Sequence, residues 1–358
     1  MQLPVNPPIL PMLAKRVSEL PTAGEWIFEP KWDGFRALVF RDGDEVMIQS
    51  RDEKPLNRYF PELIDSIKSE LPKRCVLDGE IVLARDGCLD FEALQLRLHP
   101  AASRVKLLAE TMPTSIVFFD LLSKGDRDLR NVAFEKRRKE LESLLRSSES
   151  PIHLTPATRN IETAADWFRR FEGAGLDGVV AKPITGTYES NKRVMLKVKH
   201  ERECDCVVGG FRWHKKGEGT AVGSLLLGLF DDAGELHHVG VCASFTDKKR
   251  EELVKFLSPY RKNALDKHPW KEWATAEFES ERRIPGGQSR WSQGKDLSWE
   301  PLRPELVVEV AYDHMQGSRF RHTAQFRRWR TDKKPKDCTF AQLEVVPPQE
   351  LQEIFGGV

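Results

Sequence analysis

The sequence predicts an α+β protein of two domains, the second of which is a small β-barrel of the OB type. With 358 residues, the chain is longer than one hydrophobic core usually serves. Up to about residue 200, strand-like apolar runs alternate with amphipathic helices. From His200 onward, short strands separated by glycine-rich turns surround one predicted helix, as in OB-type barrels. We therefore predict domains at residues 1–200 and 201–358.

Each predicted element follows from a local pattern. Apolar runs bounded by turn residues predict strands at 26–28, 35–40, 46–50, 75–83, 115–120, 177–182 and 195–199. Apolar residues at helical spacing predict helices at 61–71, 90–98, 131–145 and 160–174. The charges of the helix at 131–145 are expected to form a solvated face. After a polar segment at 201–205, strands are predicted at 206–213, 223–230, 236–242 and 306–312, with a helix at 247–260.

The composition is that of an ordinary globular protein, with 40% apolar and 31% charged residues. Because the net charge is +1, any binding to nucleic acid must depend on local patches. The proline-rich N-terminal segment does not resemble a signal peptide, and the apolar runs are too short to span a membrane. The six cysteines lack the spacing of a zinc site, so we expect reduced, buried thiols in a cytoplasmic protein.

The chain is organised around residues 29–36, EPKWDGFR, where Lys31 lies between two strand-like runs. Gly34 permits either a turn or a close backbone approach that a side chain would block. Burial against Trp32 and Phe28, together with neighbouring cations, would lower the pKa of Lys31 and make its amine a nucleophile. From this stretch alone, an ordinary surface turn is the competing interpretation.

Two strand patterns place like charges on one face. Asp78 and Glu80 alternate with apolar residues, which indicates either a half-exposed strand or carboxylates directed into a cleft. Lys197 and Lys199 also share a strand face, where they are either solvated or bind a common anion.

The strongest local concentration of positive charge lies at 319–336. It contains eight Arg or Lys residues against the single acid Asp332, with Phe320, Phe326 and Trp329 among them. The alternatives are a solvated surface and a surface that contacts phosphates and bases.

Seven short segments, in this order, resemble the motifs of the covalent nucleotidyltransferases. Among these enzymes the sequence is most similar to the bacterial ATP-dependent DNA ligases of the short stand-alone ligase C type, related to the ligase part of ligase D. The segments are 31–36 (KWDGFR), 50–52 (SRD), 78–80 (DGE), 118–120 (FFD), 177–182 (DGVVAK), 196–199 (LKVK) and 330–333 (RTDK).

This resemblance implies a nucleotidyltransferase domain of antiparallel sheets and helices, ATP-grasp-like, followed by an OB-fold domain. It implies that Lys31 attacks the α-phosphate of ATP, that AMP passes to DNA, and that a nick is then sealed. Lys31 is the expected catalytic residue. The expected nucleotide contacts are Glu29 through its backbone, Arg36, Arg51, Glu80 at the ribose, Phe119 on adenine, Lys197 and Lys199 at the α-phosphate, and Arg330 and Lys333 at the β,γ-phosphates.

The resemblance also implies a divalent cation, Mg²⁺ or Mn²⁺, bound by Glu80 and Asp177. The fifth motif usually begins with glutamate, so Asp177 leaves the metal geometry there open. Arg319, Arg321 and Arg328 are the expected DNA contacts. The expected partners are nicked double-stranded DNA and a repair polymerase, in gap or excision repair or in end joining, and a monomer without membrane contact is expected.

Two other functions share part of these features. An RNA ligase or a capping-type guanylyltransferase would carry the same Lys31 motif, although the pattern at 319–333 favours a DNA ligase. A non-catalytic OB-type nucleic-acid-binding module would not need Lys31, Glu80, Lys197 and Lys199.

Overall fold

A computed structural model describes residues 1–272, 298–313 and 315–343. The chain divides into two compact units between Lys199 and His200. No helix among the described residues is both long enough and apolar enough to cross a membrane. All six cysteines have free thiols, and each of them except Cys88 is buried.

The strands of the first unit form two main sheets. They are β1 (Leu13–Val17), β2 (Trp26–Pro30), β3 (Phe35–Asp42), β4 (Glu45–Ser50), β5 (Arg74–Val82), β6 (Ala84–Arg85), β7 (Cys88–Leu89), β8 (Ser115–Lys124), β9 (Arg127–Asp128), β10 (Ile152–Leu154), β11 (Val179–Pro183) and β12 (Arg193–Val198). One sheet has the order β1-β12-β11-β2, and the other has the order β10-β8-β5-β3-β4 with β9 beside β8. Only the β1–β12 and β8–β10 pairings in these two sheets are parallel.

The helices of the first unit begin and end at recognisable signals. They are α1 (Pro61–Glu70), α2 (Phe91–Leu96), α3 (Ala102–Thr111), α4 (Phe134–Leu144) and α5 (Ile161–Arg170), with 3-10 turns at Asn57–Tyr59 and Phe171–Ala174. Asp90 caps α2 by accepting from the Ala93 N–H, and Asn160 caps α5 by accepting from Glu162 and Thr163. Gly175, at φ +84°, ends the predicted helix at 160–174, whose last turn is 3-10.

The two faces of the six-stranded sheet pack in different apolar clusters, and only one face carries the predicted site residues. Alternate residues of β3 and β5, such as Val39 and Leu77, pack with Leu63 and Ile67 of α1 in one core. The opposite face carries Leu38 and other residues of a second apolar cluster. Because side chains alternate along a strand, Arg36, Asp78 and Glu80 lie on this second face. Asp78 and Glu80 therefore share a face as predicted.

The prediction of a solvated charged face on the helix at 131–145 is wrong for two arginines. Arg137 is fully buried and donates to both carboxylate oxygens of Asp120 at 2.8 and 2.9 Å. Arg138 is also buried and lies 3.3 Å from Glu29. Helical periodicity treats arginine as outward-facing, whereas here each of the two sheets supplies one buried carboxylate, Asp120 of β8 and Glu29 of β2, that compensates a buried arginine.

In its described residues, the second unit is a mainly antiparallel barrel. Its strands are β13 (Arg202–Trp213), β14 (Val222–Phe230), β15 (Leu236–Cys242), β16 (Glu300–Pro301), β17 (Val307–Tyr312), β18 (Met315–Gln316), β19 (Arg319–Phe320) and β20 (Gln325–Trp329). The order is β15-β14-β13-β17-β20, and a bridge between Cys242 and Ala324 joins its two ends. The described part of the unit also contains helix α6 (Asp247–Arg261) and 3-10 turns at Pro335–Asp337 and Phe340–Gln342.

Two features of the second unit were not predicted. The polar segment at 201–205 belongs largely to β13, where Glu203 and Asp205 pair with Ala311 and Glu309 of β17. Strand β20, inside the basic stretch, pairs with β17 on the other side. Both strands are rich in charge, so they lack the apolar alternation from which strands are predicted.

Candidate active site

The backbone around Lys31 is held by two hydrogen bonds to the turn before β11. The Lys31 N–H donates to the Gly178 carbonyl at 2.8 Å, and the Asp177 N–H donates to the Lys31 carbonyl at 2.9 Å. At Gly178, with φ +128°, a Cβ would lie 2.0 Å from the Val198 carbonyl oxygen. A Cβ on Gly34 would lie equally close, 2.0 Å from the Ile81 carbonyl oxygen, which confirms the close approach predicted there.

Lys31 and Lys199 share one carboxylate oxygen. Their Nζ atoms lie 2.6 and 2.7 Å from Oδ2 of Asp177, whose side chain is only 6% exposed. Burial opposes ionisation of Asp177, but the charges of Lys31 and Lys199 outweigh it and hold the pKa of this carboxyl below its usual value. The anion beside the predicted nucleophile is therefore an aspartate of the chain itself.

Lys197 and Arg51 extend this positive cluster. Burial is the main cause that lowers the pKa of Lys197, and the charges of Lys31, Lys199 and Arg51 lower it further. Arg51 itself is exposed, in the turn after β4. Lys31 and Lys199 thus contact Asp177, with Lys197 and Arg51 close to them, which makes the cluster suited to binding a polyanion.

Glu80 lies on β5 directly opposite Arg36 of β3. Burial raises the pKa of its carboxyl to about 7, although Arg36, Lys31 and the N–H of Gly34 oppose this shift. Near neutral pH, Glu80 can therefore either accept or donate a hydrogen bond.

Arg36 is fixed by Asp78 and lies over Phe119. Its Nε and Nη2 atoms each lie 2.6 Å from an oxygen of Asp78, a fully buried residue that also accepts from the Tyr188 hydroxyl. The guanidinium carbon is 4.6 Å from the centroid of the Phe119 ring, as is the Nζ of Lys182. A base that stacks on Phe119 must therefore share the ring with these cations.

The Glu29 side chain is buried and already paired. It lies 2.7 Å from Lys182 and 3.3 Å from Arg138. Lys182 also donates to the Phe119 carbonyl at 2.8 Å, and burial lowers its pKa. The Glu29 carboxylate is therefore occupied by these two cations, while its backbone lies opposite Val180 of β11.

Asp78, Lys182 and Arg138 support the site but were not predicted as site residues. Lys182 ends the segment at 177–182, and Asp78 begins the segment at 78–80, so both had a signal in the sequence. Arg138 had none, because its partner Glu29 is 109 residues away along the chain.

In the second unit, Arg330 and Lys333 contact acidic residues rather than open solvent. Arg330 Nη1 lies 3.0 Å from both oxygens of Asp205 and 3.1 Å from Glu309. Lys333 Nζ lies 2.8 Å from Asp205. Arg330 also donates to Asp332, and this guanidinium lowers the pKa of the Asp332 carboxyl to about 2.

The three expected DNA contacts have different surroundings. Arg319 Nη2 lies 3.0 Å from Nδ1 of His238, a buried ring whose pKa is well below its usual value because of burial and then Arg319. Burial lowers the pKa of Arg321 to about 10. Arg328 is exposed and lies 2.8 Å from Glu309.

The local excess of positive charge at 319–336 is therefore partly neutralised in the fold. Arg327 pairs with Glu201 and Glu203, and the long-range partners of Arg328 and Arg330 lie on β13 and β17. Counting charges along the sequence overlooks these acids because they come from strands far away in the chain.

Both units of the chain match known proteins. Residues 11–199 match the ATP dependent DNA ligase domain, and residues 218–333 match the ATP dependent DNA ligase C terminal region. DNA ligase C2 of Mycolicibacterium smegmatis is 56% identical over 350 residues, which cover 97% of each chain. DNA ligase C of Mycobacterium tuberculosis is 52% identical over 362 residues, which cover 100% of each chain.

A solved structure supports the fold alone. It belongs to a structure–function study of Lig E DNA ligases, and it matches with a TM-score of 0.56 and 17% identity over 90% of this chain and 100% of that one. The predicted fold class, a nucleotidyltransferase domain of helices and mainly antiparallel sheets followed by an OB-fold domain, is confirmed. The chain belongs to the ATP-dependent DNA ligases and is similar over its whole length to mycobacterial stand-alone ligases of the C type.

Proposed function

We propose that this ATP-dependent ligase seals nicks between a 5′-phosphate and a 3′-hydroxyl in double-stranded DNA, through a lysyl-AMP on Lys31 and a 5′-adenylylated DNA. The observation that carries this proposal is the contact of Lys31 and Lys199 with one oxygen of Asp177, with Lys197 beside them. Residues 1–200 would carry out adenylylation, and residues 201–358 would form the OB-fold domain.

In the first step, the neutral amine of Lys31 attacks the α-phosphorus of ATP. A P–N bond forms while the bond to the pyrophosphate oxygen breaks, and the amine releases one of its two protons to solvent. Lys197 and Lys199 stabilise the charge that develops on the α-phosphate, because phosphoryl transfer depends mainly on position and charge neutralisation. Asp177 holds the attacking side chain in place through its hydrogen bond to Nζ.

The other residues of the first unit would hold the nucleoside. Phe119 stacks on adenine, beside Arg36 and Lys182. Glu80 accepts a hydrogen bond from the ribose, the Glu29 backbone contacts the base, and Arg36 and Arg51 contact the nucleotide. Arg330 and Lys333 of the second unit would bind the β,γ-phosphates only in the step that expels pyrophosphate.

A divalent cation fits the donors of this site. Glu80 and Asp177 provide hard carboxylate oxygens, which Mg²⁺ and Mn²⁺ prefer. The raised pKa of Glu80 indicates that the cations around it do not fully compensate its negative charge. Glu80 and Asp177 would hold the ion, whose charge would offset that of the triphosphate.

The first prediction concerns Asp177. Asp177→Ala should weaken sealing of nicked DNA and raise the Mg²⁺ or Mn²⁺ concentration needed for half-maximal rate, because one of two proposed oxygen ligands is lost. Asp166→Ala removes an exposed carboxylate from the same unit and should change neither value. Unchanged metal dependence and rate in Asp177→Ala would remove this residue from the metal site.

A second prediction concerns pH. Glu80 is largely protonated below about pH 7 and ionised above it. If the carboxylate accepts from the ribose, the KM for ATP should fall as pH rises through about 7. Glu80→Gln cannot ionise, so this contribution of Glu80 to the pH dependence of KM should vanish. A KM that follows pH equally in both proteins would contradict the assignment of Glu80 to the ribose.

The decisive experiment uses labelled nucleotides. Incubation with α-labelled ATP or GTP, followed by denaturing electrophoresis, distinguishes an adenylylated enzyme from a guanylylated one or from a protein that takes no label. Parallel sealing assays on nicked DNA and nicked RNA then separate a DNA ligase from an RNA ligase. Covalent label from ATP with sealing of DNA is the expected result.

The cellular setting remains part of the proposal. We expect a cytoplasmic monomer that acts in gap or excision repair beside a repair polymerase, with end joining as the second possibility. Sealing of gapped substrates only after a polymerase fills them, compared with sealing of blunt ends, tests these alternatives.

A further inference from the structure

One buried carboxylate, that of Asp205 on β13, contacts both cations that we assign to the triphosphate. Arg330 Nη1 lies 3.0 Å from each of its oxygens, and Lys333 Nζ lies 2.8 Å from Oδ2. The Asp205 side chain is 10% exposed, whereas those of Arg330 and Lys333 are 19% and 25% exposed. The carboxylate is therefore the least accessible of the three charged groups.

The backbone of Asp205 is fixed as well. Its N–H donates to Oε1 of Gln342 at 2.8 Å, and Nε2 of Gln342 donates back to its carbonyl at 3.0 Å. On its other side, Asp205 pairs in register with Glu309 of β17. Because its backbone is held on both sides, the Asp205 carboxylate can hold the longer side chains of Arg330 and Lys333 in fixed positions.

The other acids around Arg330 cannot replace Asp205 in this respect. Glu309 contacts Arg330 and Arg328, and Asp332 is an exposed residue in the same turn as Arg330. Of the acidic residues that the structure describes, only Asp205 contacts both Arg330 and Lys333. Removing its charge would leave two flexible cations without a common partner.

We propose that Asp205 is a positioning residue that orders Arg330 and Lys333 as one cationic unit for the expulsion of pyrophosphate. This inference rests on the proposed function, since it assumes that the two cations bind the β,γ-phosphates. Lys333 uses one of its three N–H groups on Asp205, so two remain for phosphate oxygens. Side chains ordered before ATP binds do not lose their freedom during the reaction, which favours the transition state.

The test variant is Asp205→Asn in the full chain, which keeps the shape of the side chain and removes its charge. Self-adenylylation is measured over a range of ATP concentrations, together with sealing of a nick that already carries 5′-AMP. We expect kcat/KM for adenylylation to fall by about ten-fold or more. Sealing of the pre-adenylylated nick should stay within about two-fold of the parent rate, because that step no longer involves pyrophosphate.

The control is Glu203→Gln, a charge removal two residues away on the same strand and face. Glu203 pairs with Arg327 and contacts neither Arg330 nor Lys333, so both activities should match those of the parent. In a double-mutant cycle, Asp205→Asn should cost less in the Lys333→Ala background than in the parent, because the carboxylate then has one cation fewer to position.

Several outcomes would overturn the inference. Faster adenylylation of Asp205→Asn would show that Asp205 restrains the two cations instead of positioning them. Equal losses in both steps, with a lower thermal midpoint, would show a structural role only. Unchanged labelling of Asp205→Asn would overturn this inference alone, whereas absence of label on the parent chain would overturn the proposed function with it.

Discussion

Lys31→Ala should abolish formation of the lysyl-AMP and should leave sealing of a pre-adenylylated nick largely intact. Only the first step needs the amine, because in the later step the AMP is already on the DNA. The contact of Nζ with Asp177 and the backbone bonds to Gly178 and Asp177 fix this side chain among the cations of the site. Label from ATP that stays bound to the protein in denaturing electrophoresis measures the first step. Ligation of a synthetic adenylylated nick measures the last step.

Lys192→Ala is the matched control for this prediction. Lys192 is an exposed lysine of the same unit, paired with Glu189, and it lies outside the cluster around Asp177. Its replacement should preserve both activities. If Lys31→Ala retained label, another residue would be the acceptor of AMP. If Lys31→Ala lost both activities equally, the side chain would serve binding or folding instead of covalent transfer.

Much of the fold could be predicted because its elements carry local signals. The hairpin of β3 and β4, the proline-started α1 and the capped α5 all have their cause within a few residues of sequence. The start of β13 could not be predicted in this way. Its acidic residues are stable in a strand because arginines from the segment at 327–330 pair with acids of β13 and β17. These pairs form only when β13, β17 and β20 are neighbours in the folded barrel.

The candidate site also contains residues that local sequence patterns reveal and partners that these patterns do not reveal. A reactive amine next to glycines makes the region around Lys31 recognisable in the sequence. In the structure, a Cβ on either Gly34 or Gly178 would lie 2.0 Å from a backbone oxygen, and the Lys31 backbone is hydrogen-bonded to Asp177 and Gly178. The partners of these residues are harder to find. The pairs Glu29–Arg138 and Asp205–Lys333 join residues 109 and 128 positions apart, so no local pattern relates them. Long-range ion pairs also explain why the buried arginines of α4 were expected at the surface.

Arg330→Ala and Lys333→Ala should impair self-adenylylation far more than sealing of pre-adenylylated nicks. If both cations stabilise the charge of the leaving pyrophosphate, removing Arg330 should slow adenylylation by about 10²- to 10³-fold. The later steps do not expel pyrophosphate and should change much less. Single-turnover labelling with ATP and sealing of a 5′-adenylylated nick, measured on the same preparations, give the two rates.

Arg328→Ala is the informative comparison for Arg330→Ala. Both arginines contact Glu309; Arg328 lies in β20 and Arg330 directly follows that strand, but of the two only Arg330 contacts Asp205. As a proposed DNA contact, like Arg319 and Arg321, Arg328 should leave adenylylation unchanged and weaken binding to nicked DNA. A lost phosphate contact should lower the log–log salt dependence of binding by about 0.9.

The opposite result for Arg330→Ala would assign this residue to DNA binding. If Arg330→Ala lowered DNA affinity and its salt dependence but left adenylylation intact, Arg330 would contact DNA and not the triphosphate. The segment at 319–336 would then act as one DNA-binding surface, even though Glu309 and Asp205 compensate part of its charge. Arg330 is less exposed than Arg328 and contacts three acids, so the thermal midpoints of both variants are measured as well, to separate a lost phosphate contact from a loss of stability.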